Sequence, residues 1–469
     1  MALDWQDSSS AAIIHPDFLL TFDSYRMNRF LDDGSLAHLA LGPLAQQMQD
    51  CRDAMFDVLE TNGADWFEAA DGHRFFNRAG DELWIKDEYY FDPPLRLFDT
   101  DSAITFRSRI SGRRVPIPVD PGSFAVLGSI LSKLNRRTSV RSLGEQLEEC
   151  DRAFIEDLES AGLVATTALT AAEPPKDFRV TLAGHSCLLI ESPRSRVLID
   201  PLLVVRHRPR LNLTDLTEEL DSIVISHPHW DHFNLDTLLL VDRRTPIVIP
   251  KLRSRPSIVN IDMAFLLREM GFEHIIAMEP WGRAQFGDIE LVSLPFHGEG
   301  SGREGRQDWQ TYLIELGGKK LLGLVDACAD NFGSMDDVLV ELRRTLGPVD
   351  VLFSPCADFQ FQISQYQRRP FALSRCLEQF TGSAADTLRW AAITEAKMIV
   401  PYAEFIYEMS DLDRAPSTPA QKGTQRDLFR LASPEIAARI KLVPPRGSIS
   451  WNGGTSEHPI SEAAAGSVC

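Results

Sequence analysis

Three histidines and one aspartate lie within six consecutive residues of this chain, in the histidine run His227-Pro228-His229-Trp230-Asp231-His232. Imidazole nitrogens and carboxylate oxygens are common ligands of divalent transition metals. The run follows the apolar segment Ile223 to Ile225, which has the composition of a buried strand. Because alternate residues of an extended segment point the same way, we expect His227 and His229 to bind one metal ion. Asp231 and His232 then turn toward a second ion.

A pair of metal ions needs a bridging carboxylate, and Asp326 is the best candidate in the sequence. It follows the apolar segment Leu321 to Val325, and the small residues after it leave room for its side chain to point into a cleft. Asp200 follows the apolar segment Val197 to Ile199 in the same manner. We expect Asp200 to orient the histidine run through hydrogen bonds.

The segment Leu294 to Glu299 offers a further ligand for the first metal, either His297 or Glu299. Both side chains lie on one face of an extended segment, so their direction does not decide between them. Three imidazoles on the first metal favour zinc, whereas a carboxylate from Glu299 favours iron or manganese. The identity of this ligand therefore bears directly on the reaction.

The elements that position these residues are short apolar segments alternating with turns and helices, from Val180 to Val325. This is the pattern of a layered α/β domain built from many brief strands. The chain has 469 residues, of which 44% are apolar, so two or three folded units are expected.

A boundary is expected in the small, polar, Pro-ended segment Ala165 to Lys176. The predicted units are an N-terminal α+β domain (1–170), a catalytic domain (177–450) and a C-terminal tail (451–469), frayed from Ser461 onward. Within the first, helical spacing over about 116–166, with Ser139 as a cap, predicts three short helices resembling a winged-helix unit. Such a unit has either a structural role or a binding role.

Composition excludes several classes of function. The formal net charge of -19 argues against a nucleic-acid partner, which requires a basic surface. No apolar stretch reaches the roughly 18 residues that span a bilayer, and the N-terminus does not resemble a signal peptide. The seven cysteines include no CxxC pair, which favours reduced thiols. We therefore expect a cytoplasmic protein without a membrane partner, and a homodimer is left open.

Four motifs in order carry a resemblance to a known superfamily. Gly184-His185-Ser186, Ile199-Asp200-Pro201, the histidine run and Asp326 resemble the metallo-β-lactamase fold superfamily over roughly residues 178 to 410. The resemblance implies an αββα sandwich with a dinuclear metal site at one edge. It leaves the reaction open, because the fold hosts hydrolases, nucleases and redox enzymes.

A narrower resemblance rests on Pro295-Phe296-His297-Gly298-Glu299, on Thr237-Leu238-Leu239 and on Phe380-Thr381-Gly382-Ser383. These segments are similar to the family of di-iron β-hydroxylases that includes the one of chloramphenicol biosynthesis. The resemblance implies that Glu299 binds iron and that the substrate is an amino acid tethered to a carrier protein in natural-product biosynthesis. Two iron ions, dioxygen and electrons from an external reductase are implied as well.

The last ligand of the superfamily, usually a histidine, is missing from its expected place. The segment Pro401 to Phe405, which follows a strand-like stretch, contains no histidine. Either Tyr402 or Glu404 substitutes for it, or water fills the position. A carboxylate there would make the site still richer in oxygen, which again favours iron or manganese.

The preferred hypothesis is a non-haem di-iron, oxygen-dependent oxidase or hydroxylase acting on an amino acid or peptide-like intermediate. His227, His229 and Glu299 hold one iron in this hypothesis, Asp231 and His232 hold the other, and Asp326 bridges them. The main alternative is a dinuclear zinc hydrolase of an ester, lactone or phosphodiester, with His297 in place of Glu299. A binding protein on a degenerate fold is the third possibility. Arginines from Arg194 to Arg210 offer a docking surface for an acidic carrier protein.

Overall fold

The computed structural model describes most of the predicted catalytic domain and separate segments of the N-terminal region. The described residues are 3–15, 18–22, 67–68, 74–76, 82–84, 103–108, 114–118, 124–134, 136, 138–169, 175–202, 219–229, 232–253, 262–298, 308–330, 332–356, 358–361, 378–379, 381–403, 421–422, 425–443, 447–451 and 461–463.

The helices of these ranges are α1 (Phe124–Leu134), α2 (Val140–Gln146), α3 (Glu149–Ser160), α4 (Leu235–Leu238), α5 (Met263–Glu269), α6 (Met335–Leu346), α7 (Ala384–Ile393), α8 (Gln425–Leu431) and α9 (Pro434–Ala437). The strands are β1 (Ser10–Ile14), β2 (Phe18–Phe22), β3 (Phe67–Glu68), β4 (Arg74–Phe76), β5 (Glu82–Trp84), β6 (Ala103–Ser108), β7 (Arg114–Pro118), β8 (Val164–Ala168), β9 (Phe178–Gly184), β10 (Cys187–Glu191), β11 (Arg196–Ile199), β12 (Ser222–Val224), β13 (Ile247–Pro250), β14 (Ile275–Met278), β15 (Arg283–Phe286), β16 (Ile289–Pro295), β17 (Gln310–Leu316), β18 (Lys319–Gly323), β19 (Val351–Ser354), β20 (Asp358–Phe361), β21 (Glu378–Gln379), β22 (Met398–Pro401), β23 (Gln421–Lys422), β24 (Ser448–Trp451) and β25 (Ser461–Ala463).

Two large sheets face each other across an apolar core. One sheet has eight strands in the order β14-β13-β12-β11-β10-β9-β24-β25, and the other has six in the order β15-β16-β17-β18-β19-β22. Alternate residues of each strand point to opposite faces. In β11, for example, Val197 and Ile199 enter the core between the sheets, while Leu198 enters a second core.

The outer face of each sheet is covered by helices. Leu198 and Ile223 of the eight-stranded sheet share a core with residues of α1, α3, α4 and α5. Leu322 and Leu352 of the six-stranded sheet share another with α6 and α7. The layers are therefore helix, sheet, sheet, helix, which confirms the αββα sandwich expected from the sequence.

Strand direction brings the polar strand ends to one edge of the sandwich. β11, β12 and β13 are parallel neighbours, and so are β18, β19 and β22. The carboxyl ends of parallel strands meet at the same edge of a sheet. Asp200, the histidine run, Asp326 and Tyr402 all follow such ends.

The N-terminal helices form where the sequence predicts them, and Ser139 caps α2 by accepting a hydrogen bond from the main-chain N–H of Ser142 at 3.1 Å. Ala11 of β1 forms a bridge with Ser139 and also pairs with Thr167 of β8. β1 therefore lies between the isolated bridge at Ser139 and β8. We refer to α1, α2 and α3 with β1 and β8 as the helical unit.

Two segments differ from their expected structure. Val164 to Ala168 forms β8, so part of the expected linker is a paired strand, and residues 170–174 lie outside the described ranges. In the expected C-terminal tail, Trp451 ends β24 beside β9, and Ser461–Ala463 pairs with β24. Main-chain pairing with distant strands holds both segments. No helix among the described residues combines the length and the apolar character needed to cross a membrane.

We expect Leu131→Ala in α1 to reduce the free energy of unfolding by about 2–5 kcal/mol. Leu131 is 0% exposed and belongs to the core that the helical unit shares with the eight-stranded sheet. Val126→Ala in the same helix is the control, because Val126 is 54% exposed and its loss should change stability by no more than about 0.5 kcal/mol. The midpoint of urea unfolding measures both. Equal midpoints for the two variants would contradict the shared core.

Candidate metal centre

The side chains of the candidate site are carried by turns that follow four strands. Asp200 follows β11, the histidine run follows β12, Asp326 follows β18, and Tyr402 follows β22. The turn before the histidine run is tied to the opposite sheet, because the N–H of Gln310 donates to the carbonyl of Ser226 at 3.1 Å. The hydroxyl of Tyr312 also donates to the carbonyl of Ile225 at 3.0 Å. Both sheets therefore hold this turn.

Several residues beside the site adopt a left-handed backbone that is unusual for residues other than glycine. The φ angles are 44° for His185, 44° for Asp200, 51° for Asp326 and 54° for Ala403. Such conformations cost of order 1–3 kcal/mol each and persist only where the surroundings hold them. Here all four residues lie within three positions of the end of a strand.

His227, His232 and Asp326 converge in a buried space. Their metal-binding atoms all lie within 4.8 Å of one another. Asp326 Oδ2 is 3.5 Å from His227 Nε2 and 2.8 Å from His232 Nε2. These three side chains could together hold a metal ion, and the bridging role of Asp326 between two ions stays a prediction.

His229 lies beside His227, although it is not one of the three described residues that converge. Its Nδ1 lies 3.1 Å from Nε2 of His227. Two nitrogens bound to one tetrahedral ion at about 2.0–2.1 Å are separated by about 3.4 Å. The observed separation is also that of a hydrogen bond between the two rings, so the binding of one ion by His227 and His229 stays a prediction.

The buried carboxylate of Asp200 fixes which ring nitrogens face the centre. Its oxygens accept hydrogen bonds from the N–H and the hydroxyl of Ser226, each at 2.8 Å. His232 Nδ1 lies 3.1 Å from the same carboxylate and, since an ionised carboxylate only accepts, must donate to it. The predicted role of Asp200 in orienting the histidine run is confirmed by these contacts.

Ser226 determines which ring nitrogen of His227 carries the proton. Because the Ser226 hydroxyl donates its proton to Asp200, it accepts from His227 Nδ1, which lies 2.9 Å away. Both His227 and His232 therefore carry their proton on Nδ1 and present the lone pair of Nε2 to the centre. Ser186 also lies 3.2 Å from His232 Nδ1.

An aromatic wall borders the histidines. The ring of Trp309 stacks on His227 with 4.7 Å between centroids and meets His229 edge-on at 4.6 Å. Phe296 stacks on the same side of His227 at 6.1 Å. Burial, followed by the neighbouring His232 and His229, lowers the pKa of His227 well below its ordinary value. A neutral imidazole with a free lone pair is the form that binds metal.

His297, one of the two alternative ligands, is directed elsewhere. Its Nδ1 lies 3.1 Å from both carboxylate oxygens of Asp330. Asp330 also accepts from the N–H groups of Phe332 at 2.7 Å and Gly333 at 2.9 Å. The structure does not place His297 with the converging residues, which among the described residues are His227, His232 and Asp326.

Tyr402 lies close to the centre in a buried position. Its pKa is raised well above the ordinary value, first by burial and then by the charges of Asp200 and Asp326. A hydrogen bond between the phenol and the main chain of Val325 lowers the pKa in turn. Val325 directly precedes Asp326, so the phenol lies beside the carboxylate's own segment. Ala403, the next residue, offers no ligand atom, and Glu404 lies outside the described residues.

Two other predicted ligands, Asp231 and Glu299, also lie outside the described residues and stay predictions. The same holds for Arg206, Arg208 and Arg210 of the expected docking surface. The sequence reasoning did not find Ser226, whose place directly before His227 was a possible signal. It also missed Trp309, for which no local pattern gives a signal.

Comparison with known proteins agrees with this geometry. Residues 195–401 match the family model of the beta-lactamase superfamily domain. The chain is therefore similar to this superfamily over fewer than half of its residues, and it has the metallo-β-lactamase fold expected from its motifs.

Two curated relatives are similar to part of the chain. The first is the 4-amino-L-phenylalanyl-(CmlP-peptidyl-carrier-protein) 3-hydroxylase of Streptomyces venezuelae, with 27% identity over 194 residues, or 40% of this chain and 36% of that protein. The second is a UPF0173 metal-dependent hydrolase of Staphylococcus aureus, with 27% identity over 191 residues, or 39% of this chain and 74% of that protein. The aligned part thus spans little more than a third of the hydroxylase.

Two solved structures resemble the chain over most of its length. The di-iron β-hydroxylase CmlA of Streptomyces venezuelae superposes with a TM-score of 0.54 at 18% identity, covering 87% of this chain and 93% of that chain. A variant of the CmlA β-hydroxylase gives a TM-score of 0.57 at 16% identity, covering 94% and 100%. At this level of identity the comparison supports a common fold.

We expect Asp200→Asn to weaken metal binding by roughly 10–100-fold. The amide would present a donor to groups that already donate, so the ring proton of His232 and the hydroxyl of Ser226 would lose their acceptor. Asp350→Asn is the control, because Asp350 is also buried but precedes β19 and therefore lies at the opposite edge of the six-stranded sheet. Competition with a metal chelator measures affinity. Equal affinities for the wild type and Asp200→Asn would contradict the role of this carboxylate.

Proposed function

We propose that this chain is a non-haem di-iron, oxygen-dependent hydroxylase or oxidase. The observation that carries the proposal is that His297 does not belong to the described residues whose metal-binding atoms converge. Zinc hydrolysis requires His297 as a ligand, whereas the described residues that converge are His227, His232 and Asp326. Glu299 is then the remaining candidate in that segment, which favours a harder, redox-active metal.

The end of β22 supports the same proposal. Tyr402 and Ala403 occupy the segment in which an imidazole was expected, so the described part of that segment adds no nitrogen ligand. The resulting donor set has His227, His229 and Glu299 for one iron, Asp231 and His232 for the other, and Asp326 between them. Compared with an all-imidazole site it is rich in oxygen.

Each described residue has a defined part in this proposal. Asp200 and Ser226 hold the protons on Nδ1 of His232 and His227, so that both Nε2 atoms remain ligands. Trp309 and Phe296 exclude water from the histidine side. A reduced iron pair bound here would supply the activation of dioxygen for oxidation of a C–H or N–H bond. Electrons would come from an external reductase.

For the substrate we propose an amino acid or peptide-like intermediate attached to a carrier protein, in natural-product biosynthesis. The support is the similarity to the carrier-dependent 3-hydroxylase of Streptomyces venezuelae. The alternative function is hydrolysis by a dinuclear zinc site. It is favoured by the similarity to the metal-dependent hydrolase of Staphylococcus aureus, of which the alignment covers 74%.

Metal analysis of two variants tests the ligand assignment. We expect the wild-type protein from iron-supplemented cells to contain two iron ions, and Glu299→Ala to lose at least one of them because a carboxylate ligand is missing. His297→Asn is the matched control, since its amide still donates to Asp330, and it should keep both ions. Two zinc ions in the wild type, or metal loss in His297→Asn alone, would instead support the hydrolase.

The carrier requirement is tested separately with reduced iron enzyme, dioxygen and a chemical reductant. We expect an aminoacyl group attached to a carrier protein to gain one oxygen atom, and the free amino acid to react much more slowly. Mass spectrometry of the released amino acid measures both. Equal rates would argue against a carrier-bound substrate while leaving the oxygenase proposal intact.

A further inference from the structure

A buried arginine lies between the histidine run and the helical unit. Arg243 is 7% exposed, and its Nη1 donates to the carbonyls of Leu238 at 2.7 Å and Val241 at 3.1 Å. Its Cζ lies 4.5 Å from the centroid of the Phe272 ring. Burial lowers its pKa to about 9, so the guanidinium remains charged at neutral pH. A buried charge of this kind must keep its hydrogen bonds, because their loss is energetically costly.

One of the two carbonyls that Arg243 binds, that of Leu238, belongs to α4, the helix that follows the histidine run, and the other lies three residues beyond the end of α4. α4 begins after its cap residue Asn234, two positions beyond His232, and the side chain of Asn234 accepts from the N–H of Thr237 at 2.8 Å. The last carbonyls of a helix have no partner within the helix. Arg243 therefore satisfies the end of a one-turn helix whose start is almost continuous with a proposed metal ligand.

The helical unit closes over this arginine from the other side. Gly128 of α1 faces the guanidinium, and a Cβ at that position would lie only 2.7 Å from Cζ of Arg243. Arg136, just beyond α1, forms an ion pair with Asp242. Apolar residues of α1 also share one core with Phe233 and with residues of α4. Only glycine at position 128 leaves room for this contact.

We propose that Arg243 is a positioning residue through which the helical unit fixes α4, and thereby the histidine run, in its metal-binding arrangement. The inference rests on the metal site of the proposed function but not on the choice between oxygenation and hydrolysis. It gives the helical unit a role in metal binding although none of its described residues belongs to the converging ligands.

The test uses the full-length, metal-free chain titrated with Co²⁺, whose absorbance reports each bound ion. Gly128→Ala should weaken one of the two binding steps by roughly 10-fold or more and leave the other unchanged, because His232 is the histidine ligand nearest to α4 in the chain. Gly144→Ala is the matched control. It also adds a methyl group to a tightly packed helix of the same unit, where Cβ would lie 2.9 Å from the ring of Trp5 rather than near α4. It should leave both steps unchanged.

Arg243→Met is a second variant that tests the role of Arg243 if Gly128→Ala does not fold. It removes the donors to α4 and should weaken the same step. In the double variant the two effects should not add, because the added methyl group acts through the arginine that has been removed. Additive effects, equal weakening of both steps, or an equal effect of Gly144→Ala would overturn the proposal. A wild-type chain that binds no Co²⁺ would instead refute the metal site itself.

Discussion

The hydrogen bonds accepted by the Asp200 carboxylate hold the metal centre in one arrangement. A buried carboxylate is tolerated only when donors surround it, and here the donors are Ser226 and His232. The parallel pairing of β11 with β12 sets this contact, since the N–H of Asp200 also donates to the carbonyl of Val224 at 2.9 Å. Strand register thus determines ring orientation, and ring orientation determines which nitrogens can bind metal.

Much of the sandwich and part of the site could be predicted from local sequence. Short apolar runs come before Asp200, His227 and Asp326. Such a run predicts a buried strand, and the polar residue after it indicates the edge at which the strand ends. The choice between His297 and Glu299 could not be made in this way, because extended geometry treats them alike. Asp330, which lies 33 residues beyond His297 in the chain, holds the histidine ring, and no local pattern contains that contact.

The unexpected strands have a similar explanation. β8 occupies part of the expected linker because it pairs with β1, about 150 positions earlier in the chain. Likewise β24 and β25 replace part of an expected tail because the edge of β9 is open to them. Composition describes what a segment could do alone, whereas these segments are strands because of a distant partner. The same reasoning applies to Trp309, whose ring contacts the histidines from the position just before β17.

The place of β24 has a consequence for how the chain is made. The metal-facing turns through Ala403 are synthesised before Ser448, yet β9 lacks its second neighbour until β24 arrives. Until then one edge of the larger sheet exposes main-chain donors and acceptors that other chains could pair with. During synthesis the predicted ligands therefore leave the ribosome before β24, the strand that pairs with the free edge of β9. Protection of this edge by chaperones, or rapid completion of the chain, would keep the nascent protein from aggregating.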